Sequence, residues 1–216
     1  MKSTNIQIEK SFINLVNTVA KLRSDQGCPW DLEQTSESLS QYMLQETYEV
    51  LECIDNNDSK ALKDELGDLL FQILIQSLIR DEKKEFGISD VLESINIKLI
   101  KRHPHVFKDN NNNIDSENVI KNWGRMKKEE SKNDKSYIKN ITNTLPSLSF
   151  AYELYRKSSD INFELVNTDK YDNFSKEQII NILFELTSSA SKKNIDLENE
   201  FRKYIKAKQL DIIKKI

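Results

Sequence analysis

Residues that interrupt helices are scarce in this sequence. Four glycines and three prolines are spread over 216 residues, and strand-like alternation of apolar and polar residues is hard to find. Glycine and proline most often end or bend regular structure, and strict alternation is typical of a half-buried strand. The sequence therefore predicts an all-α fold, in which long helices joined by short polar turns pack as an antiparallel bundle.

Apolar periodicity and helix-ending residues give the order of the helices. Those in the N-terminal part are predicted over residues 12–23, 36–54, 60–81 and 89–101, followed by a shorter one over 119–132. The stretch SDQGCPWDLEQT, between the first two helices, is predicted to be a loop. We expect three parts in the chain: a helical domain over 8–131, a polar linker over 132–144 and a C-terminal helical segment over 145–216.

The balance of charge limits the partners of the chain. Charged residues make up 31% of it, yet the net charge is only -3, so no strong positive field attracts nucleic acid or an anionic membrane. The N-terminus has no apolar signal region, and no apolar run reaches the length of a membrane span. We therefore expect a cytoplasmic protein with no nucleic-acid or membrane partner, and its two cysteines, Cys28 and Cys53, as reduced thiols.

Two pairs of carboxylates stand out among residues that otherwise resemble a helical core. LQETYEV places Glu46 three residues before Glu49, and DELGDLL places Glu65 three residues before Asp68. Each pair lies on or beside the apolar stripe of its helix. If the chain folds back at Asn57, Glu49 and Glu65 are each eight residues from the turn, and the other two are each eleven. An antiparallel hairpin then brings all four together at two adjacent levels.

Four carboxylates in a partly buried place repel one another and lose hydration. A cation between them offsets both effects, and carboxylate oxygens suit a hard ion such as Mg²⁺ or Mn²⁺. The alternative is that the acids are solvated and paired with Lys60 or Lys63, which is the usual explanation for a single ExxE pair on a helix. Two pairs placed symmetrically about a turn favour the metal site.

Four motifs in the N-terminal part resemble those of a known family. GCPWDLEQT, LQETYEVLECID, DELGDLLFQILIQ and KLIKRHPHVF are similar, in order and spacing, to the MazG nucleoside triphosphate pyrophosphohydrolases. The resemblance implies an all-α domain that hydrolyses NTP or dNTP between the α and β phosphorus atoms, as a homodimer or higher oligomer. It also implies Mg²⁺ as cofactor, with Mn²⁺ as a substitute, and these catalytic metal ligands: Glu46, Glu49, Glu65 and Asp68.

One residue departs from the family pattern. Gln45 stands where the EExxE motif has its first glutamate, so this chain has one carboxylate fewer beside the expected metal site. Two alternatives to the hydrolase follow. The chain could be a nucleotide-sensing or interaction module without turnover, or a related phosphohydrolase that acts on another nucleotide.

Contacts to the nucleotide are expected from four further residues. The motif KLIKRHPHVF places cations at the end of a helix, where they could contact phosphate or merely complement the helix dipole. Trp30 of GCPWD could line the nucleotide pocket or fill the core. The resemblance favours a substrate-binding role for all four: Lys98, Lys101, Arg102 and Trp30.

The segment FQILIQSLI, residues 71–79, is apolar on nearly every side. It is predicted to be buried within one subunit or to lie at a homodimer contact.

The C-terminal segment resembles the acidic helix at lower similarity. Aligning GDLLFQIL with INILFELT, residues 180–187, sets Gln178 opposite Glu65 and Asn181 opposite Asp68. Amides do not supply the charge that Mg²⁺ requires. The segment is therefore predicted to be a degenerate second MazG-like repeat that is catalytically silent, with chance similarity of two amphipathic helices as the alternative.

Overall fold

The computed structural model describes residues 2–108, 115–131 and 133–216. Within these ranges it contains eleven α-helices, one short 3-10 helix and no strand, so the predicted all-α class is confirmed. The chain divides into two compact units, the first ending at His103 and the second beginning at Pro104. No helix in the described ranges has both the length and the hydropathy that crossing a membrane requires.

Unit 1 contains five helices. They are α1 (Lys2–Leu22), α2 (Pro29–Glu33), α3 (Ser40–Asp55), α4 (Ser59–Glu82) and α5 (Ile88–Arg102). The predicted order is correct, with two differences. The first helix begins at Lys2 rather than at Phe12, because no glycine or proline interrupts the polar residues before the apolar stripe. The short α2 lies inside the predicted loop and begins at Pro29, a residue whose fixed φ suits a first helical position.

The hairpin of α3 and α4 is the central feature of unit 1. The chain reverses at Asn57, which has a φ of 54°, a left-handed conformation that asparagine tolerates better than most residues. The carboxylate of Asp58 then caps α4 by accepting hydrogen bonds from the backbone amides of Lys60 and Ala61, at 3.0 Å each. This turn is where the sequence predicts it, so the two helices pack antiparallel with the expected register.

The core of unit 1 lies between α1, α3 and the C-terminal half of α4. Its buried side chains are Val19, Leu39, Leu74, Ile75 and Ile79. Three of them belong to the apolar segment 71–79, so packing within one subunit covers much of that segment. In contrast, α5 has no buried residue and exposes several large apolar side chains.

Unit 2 contains six α-helices and the 3-10 helix Asp169–Tyr171. The α-helices are α6 (Pro104–Phe107), α7 (Ser116–Glu129), α8 (Asp134–Lys139), α9 (Ser147–Asp160), α10 (Lys176–Lys192) and α11 (Leu197–Lys215). The core is formed by α8, α9 and α11 and contains Ile138, Ile141, Phe150, Leu154, Ile205 and Ile212.

The segment predicted as a polar linker differs from that expectation. Residue 132 lies outside the described ranges, but the residues after it form α8, in which Tyr137 and Ile138 are buried. The buried Lys157 donates to the carbonyl oxygens of Tyr137 and Asn140, at 2.8 and 3.2 Å, and so ties the end of this helix to α9. Two adjacent core residues thus lie within a segment of polar composition. The boundary between the two units falls between residues 103 and 104, and not within 132–144.

Candidate metal centre

Three of the four predicted acids meet between α3 and α4. Glu46 and Glu49 project from one helix and Glu65 from the other, and each offers a carboxylate oxygen within 4.8 Å of the others. All three side chains are partly buried. Asp68 is exposed and lies outside this group of three, although it stands one turn beyond Glu65 on the same helix. The hairpin register therefore produces a carboxylate cluster at the predicted place.

The electrostatics of the cluster follow from this closeness. Burial raises the pKa of Glu46, and the negative charges of Glu49 and Asp68 raise that pKa further. Burial also raises the pKa of Glu65, with Glu49 as its strongest charged neighbour. These neighbours match the two predicted levels, in which Glu49 faces Glu65 and Glu46 faces Asp68. The cluster is thus an arrangement of like charges that a cation would stabilise.

Among the residues that the structure describes, no lysine pairs with this cluster. Lys63 contacts Asp64 at 3.0 Å, and none of the described lysines or arginines forms an ion pair with the three glutamates. The donor set consists of carboxylate oxygens from two rigid helices, without histidine or cysteine. Such hard oxygen donors suit Mg²⁺ or Mn²⁺ and disfavour zinc, so the residues present fit the ion that the sequence predicts.

Comparison with known proteins bears on the same hairpin. The family model described as the MazG nucleotide pyrophosphohydrolase domain matches residues 34–107, which include both carboxylate pairs. The nucleoside triphosphate pyrophosphohydrolase/pyrophosphatase MazG of Thermotoga maritima is 33% identical over 94% of this chain and 83% of its own length. The chain belongs to the MazG family. The sequence-based assignment to this family of hydrolases is therefore confirmed.

Two further relatives show how much of other MazG proteins the chain covers. The nucleoside triphosphate pyrophosphohydrolase of Escherichia coli is 35% identical over 79% of this chain and 66% of its own length. The uncharacterized protein YabN of Bacillus subtilis is 42% identical over 67% of this chain, but the match spans only 30% of YabN. The chain thus corresponds to a minor part of one relative and to most of another.

Gln45, the departure from the MazG motif, contacts the cluster directly. Its side-chain amide donates a hydrogen bond of 2.9 Å to Oε1 of Glu49, one turn further along α3. A glutamate at this position has no proton to donate at neutral pH and would repel Glu49 instead. The substitution therefore replaces a charge by a bond that fixes one carboxylate of the candidate site.

Trp30 lies beside the same face of α3. Its ring meets that of Tyr42 edge to face, with 5.8 Å between the centroids, and Tyr42 is one turn before Glu46. Trp30 is 48% exposed, so it does not fill the core, which was the alternative to a binding role. The half-exposed Trp30 is therefore accessible beside Tyr42, one turn from Glu46, and an aromatic ring in such a place can stack on a base.

The predicted cations lie at the C-terminal end of α5. Lys98 and Lys101 are exposed and Arg102 is partly buried, and α5 packs against α4 of the acidic hairpin. This places them in the same unit as the carboxylates. Their contact with phosphate stays a prediction.

Gln178, which the predicted repeat alignment sets opposite Glu65, caps a helix in unit 2. Gln178 is the third residue of α10, and it forms a reciprocal cap in which its Oε1 accepts from the backbone amide of Ser175, at 2.8 Å. Ser175 Oγ in turn accepts from the backbone amide of Gln178 at 3.2 Å. The side chain of Gln178 therefore caps the N-terminus of α10.

Sequence reasoning missed one residue near this site. Arg23, at the end of α1, is only 9% exposed and contacts the segment that carries Trp30 as well as Glu82 at the end of α4. The available signal was an arginine immediately before a loop rich in turn-forming residues. An isolated arginine among 32 lysines and arginines does not reveal its partner, which is 59 residues away.

Proposed function

We propose that this chain hydrolyses nucleoside triphosphates or deoxynucleoside triphosphates between the α and β phosphorus atoms, giving a nucleoside monophosphate and pyrophosphate. The observation that carries the proposal is the meeting of Glu46, Glu49 and Glu65 within 4.8 Å, inside the segment that matches the MazG domain. A divalent ion held by these carboxylates would activate a bound water as the attacking group, so no covalent nucleophile is required. The reaction is therefore a direct hydrolysis.

Glu46, Glu49, Glu65 and Asp68 are the proposed metal ligands and catalytic residues. Mg²⁺, or Mn²⁺ in its place, would supply Lewis-acid polarisation of the phosphoryl group and a lower pKa for bound water. The two helices hold the carboxylates in fixed positions, so little reorganisation is needed when the triphosphate arrives. Asp68, being exposed, is the ligand most accessible to the substrate side of the cluster.

The remaining contacts to the nucleotide are assigned by chemistry. Lys98, Lys101 and Arg102 would bind the leaving pyrophosphate, because a triphosphate carries more negative charge than one divalent ion offsets. Trp30 would stack on the base or pack against the sugar, since its ring is half exposed near the carboxylates. Unit 2 would contribute structure and no second catalytic centre.

A homodimer or higher oligomer is the proposed assembly. On the acidic hairpin, large apolar side chains face solvent, among them Leu44, Leu51 and Leu66. An apolar surface of this kind is typical of a subunit interface. The net charge of -3 gives no reason to expect a nucleic-acid partner, and the cytoplasm, where nucleotides are abundant, is the proposed location.

A second candidate function is supported by Gln45. Its hydrogen bond to Glu49 occupies one oxygen of the cluster, which could leave metal and nucleotide binding intact while slowing turnover. The chain would then be a nucleotide sensor. A third candidate, hydrolysis of a nucleoside diphosphate or another nucleotide, uses the same carboxylates and differs only in the substrate.

Product analysis separates the three candidates. The purified chain is incubated with a panel of NTPs, dNTPs and nucleoside diphosphates, with Mg²⁺ or with chelator, and the monophosphate is resolved from the diphosphate. Metal-dependent release of monophosphate and pyrophosphate supports the main proposal. Binding without turnover supports the sensor, and turnover restricted to other nucleotides supports the third candidate.

A further inference from the structure

Arg23 joins two parts of unit 1 that are distant in sequence. Its Nε and Nη2 donate to the two carboxylate oxygens of Glu82, at 2.9 and 2.8 Å. Its Nη1 donates to the backbone carbonyl oxygens of Asp31 and Gln34, the latter at 3.0 Å. The guanidinium is therefore held on one side by the end of α4 and on the other by the end of α2.

The segment that Arg23 holds carries Trp30. Gln34 donates from Nε2 to the carbonyl oxygen of Trp30 at 2.9 Å, so the two carbonyls bound by Arg23 belong to the same short turn as the tryptophan. The Trp30 ring contacts Tyr42, one turn before Glu46. Contacts therefore run from Glu82 through Arg23 to the segment of Trp30, and the Trp30 ring meets Tyr42 one turn before Glu46.

This segment has little stability of its own. The α2 helix has five residues, fewer than an isolated helix needs in water. Within this helix Leu32 is exposed and Trp30 is half exposed, so apolar burial fixes only part of the segment. The guanidinium supplies two hydrogen bonds to its backbone, and an ion pair with a nearly buried arginine is worth more than one at the surface.

We propose that Arg23 is a positioning residue for nucleotide binding: through Asp31 and Gln34 it sets the place of Trp30 relative to Glu46. The expected effect on KM rests on the proposed function. The effect on the position of Trp30 does not, because it is measured in the protein without substrate. Only arginine offers donors in a planar fork that reach Glu82 and both carbonyls at once. Lysine keeps the charge and cannot make all these bonds.

The structural part is tested by fluorescence without any nucleotide. The chain has two tryptophans, so Trp123→Phe leaves Trp30 as the only tryptophan, which is excited selectively over the seven tyrosines at long wavelength. In this background we compare Arg23→Gln, Arg23→Lys and the control Lys21→Gln, an exposed cation in the last turn of the same helix. Acrylamide quenching of Trp30 is expected to increase in Arg23→Gln, to increase less in Arg23→Lys, and to stay unchanged in the control.

The kinetic part is tested on the full chain with NTP and Mg²⁺. Arg23→Gln is expected to raise KM about five- to a hundredfold, which is the range for losing one stacking contact with a base. It should change kcat less than about threefold, because the carboxylates are untouched. Trp30→Ala should give the same rise, and the double variant Arg23→Gln/Trp30→Ala should be no worse than Trp30→Ala alone.

Glu82→Gln guards against a folding failure of the arginine variants. Glu82 is 42% exposed at its side chain, so its amide is tolerated, and Arg23 keeps its bonds to the two carbonyls. A smaller increase of quenching and of KM is expected. Unchanged quenching in both Arg23→Gln and Glu82→Gln, with circular dichroism like the parent, would overturn the inference.

The outcomes also separate this inference from the proposed function. If the parent chain hydrolyses no nucleotide but Trp30 becomes more accessible in Arg23→Gln, the proposed function fails and the positioning role stands. If Arg23→Gln raises KM additively with Trp30→Ala, the arginine acts independently of the tryptophan, and the inference is wrong.

Discussion

The side-chain amide of Gln45 lies 2.9 Å from a carboxylate oxygen of Glu49 and donates a hydrogen bond to it. Gln45 stands where the MazG motif has a glutamate, so the candidate metal site has a hydrogen-bond donor in place of a negative charge. A neutral group stabilises one orientation of Glu49, where a glutamate would add a negative charge. Fixing the orientation of Glu49 favours metal binding, whereas the missing negative charge weakens it. Substitution of Gln45 measures which effect is larger.

Gln45→Glu is expected to leave turnover equal or higher. Glu49 loses its donor and becomes free to reorient. A unit negative charge about 4 Å from a divalent ion in a solvated place is worth about 2 kcal/mol, so Mg²⁺ affinity should rise up to about thirtyfold. Isothermal titration with Mg²⁺ and steady-state kinetics measure the two quantities. Gln41→Glu, one turn earlier on the same face, controls for added charge. A clear loss of turnover in Gln45→Glu alone would show that the amide has a positive role.

Glu65→Gln is expected to abolish metal-dependent turnover, by at least about a hundredfold, since even the loss of a residue that only supports a metal ligand costs ten- to a hundredfold. The side chain keeps its size, so helical content should not change. Pyrophosphate release measures the turnover, and circular dichroism measures the helical content. The control is Glu52→Gln, an exposed glutamate of α3 outside the cluster. Retained activity in Glu65→Gln would exclude this residue as a ligand.

The same variant should be more stable than the parent when metal is absent. The pKa values of Glu46 and Glu65 are raised above the ordinary 4.5 by burial and by neighbouring charges. The folded chain therefore binds more protons than the unfolded chain just above pH 4.5, and these groups contribute less stability as the pH rises through that window.

Thermal unfolding with chelator measures this effect. At about pH 7, Glu65→Gln should melt above the parent. The difference should shrink as the pH falls towards 4.5, because the raised pKa lets Glu65 of the folded parent take up its proton above that pH. Adding Mg²⁺ at neutral pH should raise the midpoint of the parent more than that of the variant. A variant that melts below the parent without metal would contradict the assigned repulsion.

Substitution of two glycines by alanine should have opposite effects. A Cβ on Gly27 would overlap the carbonyl oxygens of Lys21 and Leu22, so Gly27→Ala should lower the free energy of unfolding by about 1–3 kcal/mol. Gly67, inside α4, has nothing within 4 Å of such a Cβ, and Gly67→Ala should raise the free energy of unfolding by about 0.5–1 kcal/mol. Urea unfolding measures both free energies. If Gly27→Ala also raised the free energy of unfolding, the turn at Gly27 would have relaxed to accept the Cβ.

The carboxylate hairpin could be predicted because it depends on local quantities. Spacing of three residues on a helix and equal distances from Asn57 are read directly from the sequence, and a left-handed asparagine is a common way to reverse a chain. The role of the fourth acid as a ligand stays a prediction. Asp68 has the correct spacing, but it is exposed and lies outside the group formed by the other three.

Other features depend on partners that are distant in sequence. Arg23 binds Glu82 across 59 positions, and no local pattern indicates that pairing. The segment predicted as a linker fails for a related reason, since Tyr137 and Ile138 look like isolated apolar residues until α9 and α11 cover them. The first turns of α1, before Phe12, form through backbone propensity and carry no apolar stripe. Apolar periodicity therefore does not predict them.

The turn at Asn57 also limits which insertions and deletions the gene can accept. One residue added inside α4 before Glu65 would move that side chain by about 100° around the helix, and would carry it away from Glu46 and Glu49. The connection between Lys83 and Gly87, at the other end of α4, is under no such restriction. Length variation among homologous chains should therefore be absent between Asn57 and Glu65 and frequent between Lys83 and Gly87.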